Sequence, residues 1–427
     1  MSKFLRGLLL FFICCSSLQA LALPDAVEMA KQTRVNSLEV MDTPGEIQRI
    51  ESILETLIAQ LPDYTSEFLL PNALQKMLKE TIQLEVPLEQ IVNIKGTPLS
   101  GRSKDIVFFI QDQQGNLLYV VKALRNPKSS FSHFAWEISA MAFLEEQKFQ
   151  ASNNVKLLAV GKAYTKDICY GLILETAAPG MRFLDFMRGI ASAERKSYFA
   201  KILRAYTQAG YALGELQASR PPELGDFPEE SCEKIKNALQ EYLKTPAAQL
   251  HSAELDPEML TDYVQQVLEN IKKVEHYRVI WHGDAHIGNF IYAHDSNTFT
   301  MIDLGRMHES IALDGHPMGD LGYDYIRFCD DMDIKCRGLF TVQEREQIRE
   351  HFTQAYNEKA AIPITEHHRR FYEVYVRINR LRSNAKYLDL PAGPQRDDCH
   401  QIFRAVLEDL LRMYAEKQAI RRIRCCT

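Results

Sequence analysis

Val279-Ile280-Trp281-His282-Gly283-Asp284-Ala285-His286-Ile287-Gly288-Asn289-Phe290, followed by Met301-Ile302-Asp303-Leu304-Gly305, is the stretch from which the rest of the chain can be read. Two short apolar runs bracket a turn. The turn carries an aspartate, an asparagine five residues on, and a second aspartate at the end of the next strand. Phosphoryl transfer asks little covalent work of a protein. It needs metal ions on the phosphates, a group that orients the nucleophilic hydroxyl, and positioning. These three side chains supply that set. Asp284 is placed to take or orient the hydroxyl proton, and Asn289 and Asp303 to hold Mg²⁺ through hard oxygen ligands. The bland alternative is a polar turn with incidental Asp and Asn.

Upstream lies a second candidate element. Such chemistry needs a strand lysine that bridges the α- and β-phosphates and pairs with a helix glutamate. Val120-Val121-Lys122 ends an apolar run, and Glu137 follows on the next expected helix. Lys122 is the expected nucleotide lysine and Glu137 its partner, with Glu145 and Glu146 as rivals on the same helix. Before them, Lys95-Gly96-Thr97-Pro98-Leu99-Ser100-Gly101-Arg102-Ser103-Lys104 is a candidate phosphate loop. Its backbone N–H groups, at Gly101 and Ser103 among others, could cradle phosphate. An exposed basic loop is the equal alternative.

The turn resembles the aminoglycoside phosphotransferase and choline kinase branch of the protein kinase superfamily. That branch carries His-Gly-Asp-x-His-x-x-Asn and then Ile-Asp, matched here at His282, Gly283, Asp284, His286, Asn289, Ile302 and Asp303. The resemblance implies that His282 braces the loop and that Asp303 takes the main metal role. It implies ATP and Mg²⁺ as cofactors. It also makes Leu172-Ile173-Leu174-Glu175-Thr176-Ala177-Ala178-Pro179-Gly180 look like the link between lobes, with adenine bound by backbone groups at Glu175 and Ala177. The chain departs from common protein kinases at Gly283, where they carry Arg, and it lacks Ala-Pro-Glu after Asp303. Pro317-Met318-Gly319-Asp320-Leu321-Gly322 resembles the Asp-Leu-Ala segment of small-molecule kinases, so Asp320 is expected to cap a helix or brace the catalytic loop.

The surrounding pattern fits an α+β, bilobal, protein-kinase-like fold, with a small β-rich N-lobe, a larger helical C-lobe and an N-terminal helical extension. Ile47, Ile50, Ile53, Leu57 and Leu61 recur at helical spacing, so residues 23–87 read as that extension, broken at Pro62 and Pro71. Ile106–Ile110 and Leu117–Val121 flank a turn ending in Gly-Asn and read as a hairpin. A helix is expected from about Phe131 to Phe149, then strands at Val155–Val160 and Gly171–Leu174. These place the N-lobe at 88–175 and the C-lobe at 176–427, with Tyr198–Gln217 a strong helix and 221–265 a polar insertion.

Composition bounds the rest. The 427 residues allow two or three domains, and 46% apolar with 25% charged residues is ordinary for a globular protein. The net charge of −6 disfavours a polyanion binder, so no nucleic acid partner is expected. Residues 361–427 hold 13 Lys/Arg against 8 Asp/Glu, a surplus of +5 that leaves −11 for the rest. Within that surplus, His367, His368, Arg369, Arg370, Arg377, Arg380, Arg382 and Lys386 form a basic helix that could bind an inositol phosphate or an anionic lipid. A solvated helix face is the alternative.

Residues 1–22 read as a signal peptide: Lys3 and Arg6, an apolar run, then Ala20-Leu21-Ala22. That run is too short for a span. The other seven of the nine cysteines show no framework spacing, which reads as a reducing compartment. Export would place the chain outside its cell or inside another. The acceptor is then open: a hydroxyl-bearing small molecule, as the resemblance implies, or a protein or lipid, as an exported effector would use. A non-catalytic nucleotide-binding module is the remaining alternative.

Overall fold

A computed structural model of the chain describes residues 61–425 apart from 66–69, 94–104, 126–129, 148, 166–167, 191–193, 227–228, 252–253, 255, 312–315 and 389–392. The signal-peptide expectation at 1–22, the extension before residue 61, and Gly101 and Ser103 lie outside the described residues. The chain divides into two compact units. One takes the residues up to Glu146 together with Val155–Ala177, and the other takes Gln147–Asn154 and Ala178–Thr427.

In the first unit α1 (Leu70–Ile82) precedes β1 (Ile91–Asn93), β2 (Asp105–Gln111), β3 (Leu117–Arg125), α2 (Ser130–Glu146), β5 (Leu157–Thr165) and β6 (Ile168–Thr176). The five strands form an antiparallel sheet in the order β1-β2-β3-β6-β5. The β2–β3 turn is built by Asp112, whose carboxylate accepts the N–H groups of Gln114 and Asn116, both at 2.8 Å. Gly115 supplies the positive φ of +85° that follows. Alternation along the strands then sorts the side chains. Val121, Ala123, Leu172 and Leu174 share one buried cluster with Leu74, Met77 and Leu78 of α1. Lys122 and Glu175 point to the other face. Pro71 opens α1 rather than breaking it, because a proline at a first helical position loses no hydrogen bond. The described part of the extension therefore belongs to this unit's core.

The second unit is mostly helical. β4 (Ser152–Asn153), β7 (Met181–Arg182), α3 (Phe183–Gly189), α4 (Arg195–Gln217), β8 (Glu223–Gly225), α5 (Glu229–Leu243), α6 (Pro246–Leu250) and α7 (Pro257–Ile271) lead to β9 (His276–Val279), β10 (Phe290–Ala293), β11 (Thr298–Met301) and β12 (Gly319–Asp320). Four long helices follow: α8 (Tyr323–Lys335), α9 (Val342–Lys359), α10 (Glu366–Ala385) and α11 (Pro394–Cys425). The hairpin β10–β11 lies in a small sheet ordered β4-β11-β10-β7, and β9 lies in another, β12-β9-β8. Aromatic rings fix that hairpin from behind. Phe183 meets Phe299 edge-on at 5.0 Å, Phe290 meets Phe328 at 5.2 Å, and Phe328 stacks on Phe352 at 4.8 Å. Such pairs add to the area they bury.

Two expectations change here. Residues 221–265 were expected as a polar insertion. They are largely helical, and their apolar stripes (Ile235, Leu239 and Tyr242 of α5; Leu260, Val264 and Val267 of α7) are buried. The exposed polar faces dominate the composition and hide a 3.6-residue apolar period. The basic helix is α10, and its cations face carboxylates of the same chain. Arg369 and Arg370 pair with Glu366 (2.7 and 2.9 Å), Arg369 also with Glu373 (2.7 Å), and Arg380 with Asp330 and Asp331. Arg377 is 2% exposed and lies 3.7 Å from Asp409. A surplus counted along the sequence is thus neutralised in space, and the anionic ligand expected at this helix finds no support.

Among the described residues Cys169, Cys232, Cys329 and Cys336 are free thiols, and no helix is long and apolar enough to cross a membrane.

One buried histidine, His368, and a half-buried one, His276, make stability pH-dependent. His276 and His368 meet edge-on at 6.0 Å, and each donates Nε2–H to a backbone carbonyl at 3.1 Å, of Ile271 and Glu275 respectively. Burial pushes both imidazoles down from their ordinary value. The unfolded chain binds protons on them near pH ~6.5, where the folded chain does not. Their contribution to stability is therefore complete above that pH and is lost as pH falls toward the folded values. The urea midpoint should be lower at pH 5.5 than at 7.5. The double variant His276→Gln, His368→Gln should flatten that difference; an unchanged difference would clear this pair of responsibility.

Candidate active site

The turn read first in the sequence leaves β9, passes Asp284 and enters β10. Gly283 must be glycine for two reasons. Its φ is +82°, and a Cβ there would lie 2.8 Å from the Arg306 carbonyl oxygen. His282 is fully buried. Its Nε2–H donates to the Ile302 carbonyl at 3.0 Å, and its Nδ1 accepts the Asp284 N–H at 3.4 Å. One neutral tautomer satisfies both bonds, and it ties the turn to the end of β11.

Asp284 and Asn289 meet in this unit, and the backbone of Asp303 follows directly on the bond that ties Ile302 to Asn289. Asn289 is buried and donates Nδ2–H to the Asp284 carbonyl at 3.0 Å, with Asp284 Oδ2 at 3.5 Å. With its nitrogen so committed, its Oδ1 is the acceptor left for a cation. The open end of the β10–β11 hairpin places Asp303 beside it, because Ile302 N–H bonds the Asn289 carbonyl at 3.0 Å. Asp303 sits at φ 60° and ψ 61°, in the left-handed region. A non-glycine residue there costs on the order of 1–3 kcal/mol, and such strain clusters at functional sites. Among the described residues no group of three or more His, Cys, Asp or Glu side chains is set to hold a metal. Mg²⁺ does not need one, since it binds one or two carboxylates plus substrate phosphates. An aspartate beside an amide oxygen suits it.

His286 accepts the Gly288 N–H on Nδ1 at 3.0 Å, and its Nε2 lies 3.7 Å from Asp284 Oδ2. Burial, with Lys335 adding, pushes this imidazole down to about 4, so it is neutral near pH 7.

The brace under the turn was not legible at the residue expected. Asp320 pairs with Arg278 and accepts the Ser231 hydroxyl at 3.1 Å. The bracing carboxylate is Asp324, four residues on, at the start of α8. It accepts the N–H groups of His282 and Gly283, the latter at 3.0 Å. Burial pushes its carboxyl up, while the two N–H bonds pull it back. Asp331, further along the same helix, accepts the Ile287 N–H at 3.1 Å. Arg327, between them, lies 3.4 Å from Asp284 Oδ1. The available signal was acids within an otherwise apolar helical stretch, Tyr323-Asp324-Tyr325-Ile326. Asp324→Ala leaves two buried N–H donors without an acceptor, at about 1–3 kcal/mol each. Urea unfolding should show about 2 kcal/mol or more of lost stability, with Asp324→Asn intermediate. A loss within experimental error would show that the brace is dispensable.

In the first unit, Lys122 pairs with Glu137 of α2, as the order of residues suggested, while Glu145 and Glu146 are exposed. Glu175 was expected to contribute only backbone. Its side chain is buried and lies 3.3 Å from the Lys122 ammonium, so two carboxylates hold that lysine. The pleat explains it: Glu175 pairs with Val120 and so faces the same side as Lys122. At Ala177, whose backbone was expected near adenine, the N–H donates to the Leu118 carbonyl at 3.2 Å.

The sequence model of a family described as "Phosphotransferase enzyme family" matches residues 95–369, more than half of the chain. No curated protein matches. Among solved structures, a spectinomycin phosphotransferase in complex with ADP and spectinomycin is 12% identical, with 80% of this chain and 97% of that one covered and a TM-score of 0.50. An amicoumacin kinase in complex with AMP-PNP, Ca²⁺ and Ami is 13% identical (79% and 93% covered, TM-score 0.49). A Plasmodium vivax ethanolamine kinase is also 13% identical (85% and 94% covered, TM-score 0.43). At such identities the likeness speaks for the fold alone, which is kinase-like. The span of the family match carries the assignment: this chain belongs to the phosphotransferase enzyme family.

Proposed function

We propose that the chain is a magnesium- and ATP-dependent kinase that passes the γ-phosphate to a hydroxyl of a small molecule. The observation that carries the reading is the Asp284–Asn289 contact at a braced turn, with a strained Asp303 next after the backbone bond that ties Ile302 to Asn289. Asn289 and Asp303 would hold Mg²⁺, which when bound neutralises charge on the phosphate oxygens. Lys122, held by Glu137 and Glu175, would bind phosphate oxygens, and His282 keeps the turn in place. In the transfer itself the acceptor oxygen forms a bond to the γ-phosphorus as the bond to the bridging oxygen of ADP breaks. The leaving ADP keeps that electron pair, and the hydroxyl proton passes to Asp284.

Solved neighbours named for amino-alcohol, amino-sugar and antibiotic substrates make small hydroxylated molecules the first acceptors to try. The same neighbours include nucleotide complexes, which supports ATP. Membership in a family of enzymes weighs against the non-catalytic module. The test is transfer from γ-labelled ATP with magnesium to a panel of amino alcohols, hexosamines and aminoglycosides, read by product mass. Magnesium-dependent label on one of these acceptors, absent with Asp284→Asn, is the expected result. Nucleotide binding with no turnover on any acceptor, water included, would return the reading to a binding module.

A further inference from the structure

Three side chains on one face of α8 reach the same turn. Asp324 accepts the N–H groups before Asp284, Asp331 accepts the Ile287 N–H after it, and Arg327 meets the Asp284 side chain itself. Spacings of three and four residues put all three on one helical stripe. The two carboxylates fix the backbone on either side, and the guanidinium is the member that touches the reactive group. Arg327 Nη2 lies 3.4 Å from Asp284 Oδ1. Its Nε is buried without a hydrogen-bond partner, so no second acceptor holds the guanidinium at that nitrogen. Buried donors left unmet in a native fold call for a reason beyond stability.

We propose that Arg327 is the positioning residue of the catalytic aspartate. By holding Oδ1 it fixes the carboxylate's rotation and leaves Oδ2, the oxygen near Asn289 Nδ2, to receive the hydroxyl proton. Asn289 and His286 line the Oδ2 side, so the guanidinium is the group set against Oδ1. This rests on the reading of Asp284 as the proton acceptor. An ion pair of purely structural kind would change stability and leave the chemistry alone. A group that aims the acceptor changes turnover, because misplacement on the order of 1 Å costs about 10²-fold in rate.

The experiment uses the full chain and magnesium-ATP, with water as acceptor, and compares kcat with KM for ATP. Arg327→Met should lower kcat about 10- to 100-fold with KM for ATP within about twofold. Arg327→Lys should recover part of the loss. Millimolar methylguanidinium should raise the turnover of Arg327→Ala and not that of the wild type. Wild-type kcat in Arg327→Met, or a change confined to KM, overturns the proposal. If the methionine variant does not fold, the other two decide: no recovery in the lysine variant and no rescue of the alanine variant overturn it equally. Those failures leave the kinase reading intact. A wild-type chain with no magnesium-dependent turnover on water or on any acceptor of the panel, indistinguishable from Asp284→Asn, would sink both.

Discussion

Asp284→Asn is expected to lower phosphoryl transfer by about 10²- to 10⁴-fold, the range of a positioned general base, while affinity for magnesium-ATP stays within a few-fold. The substitution keeps shape and the shorter Asn289 bond, at 3.0 Å to the backbone carbonyl of residue 284, and disturbs only the longer one to Oδ2 at 3.5 Å. It removes only the group that takes the proton. Arg327 then faces an amide oxygen at best, so part of the orientation survives. Isothermal titration of the nucleotide and single-turnover transfer separate the two effects. Full turnover in Asp284→Asn would mean that another group accepts the proton, and the role drawn for this residue would have to be abandoned.

Asp303→Ala should be more drastic at the nucleotide. If Asp303 is the main carboxylate on the metal, its loss removes several kcal/mol of charge stabilisation, on the order of 10³-fold or more in turnover. Magnesium-dependent nucleotide binding should go with it. The backbone adds a second, opposite expectation. At φ 60° a glycine relieves strain that aspartate bears. Asp303→Gly should therefore be as inactive as the alanine variant yet melt at or above the wild-type temperature. Alanine, which tolerates that region worse than aspartate does, should melt below it. Magnesium-dependent ATP binding retained by Asp303→Ala would remove this residue from the metal site. Equal melting temperatures for the glycine and alanine variants would show that the left-handed geometry carries no cost.

The sequence was most readable where chemistry and local geometry coincide. His282 to Asn289 forms one short turn whose spacing is fixed by neighbouring backbone, and Asp303 follows at the end of the strand paired with the next one. Lys122 and Glu137 were legible by their order, because a strand and the helix after it are adjacent in space. The β2–β3 hairpin announced itself by its turn residues. Positions set by contact over long sequence separation were less legible. Asp324 braces a turn some forty residues away. Asp320 stood in its place in the reading because the two acids lie four residues apart, and only the fold sets Asp320 in β12 against Arg278 and Asp324 at the start of α8 under the turn. Glu175 was taken for a backbone contributor because strand pairing, not spacing, decides which face its carboxylate shares with Lys122.

The amino-acid order by itself therefore determined the reaction class, the hairpins and the turn that carries the acids, because these depend on neighbours along the chain and on the pleat or pitch they adopt. The folded molecule alone decided which charges are available. The cations of α10 looked like a binding surface in one dimension and are met by carboxylates brought in from α8 and from α10 itself. Electrostatic attraction depends on separation in space, and a buried charge without a partner is too costly to persist. A count of residues along the chain carries no such distances. The positions that hold the catalytic turn, and the arginine set against its aspartate, emerged only when helix and turn were packed together.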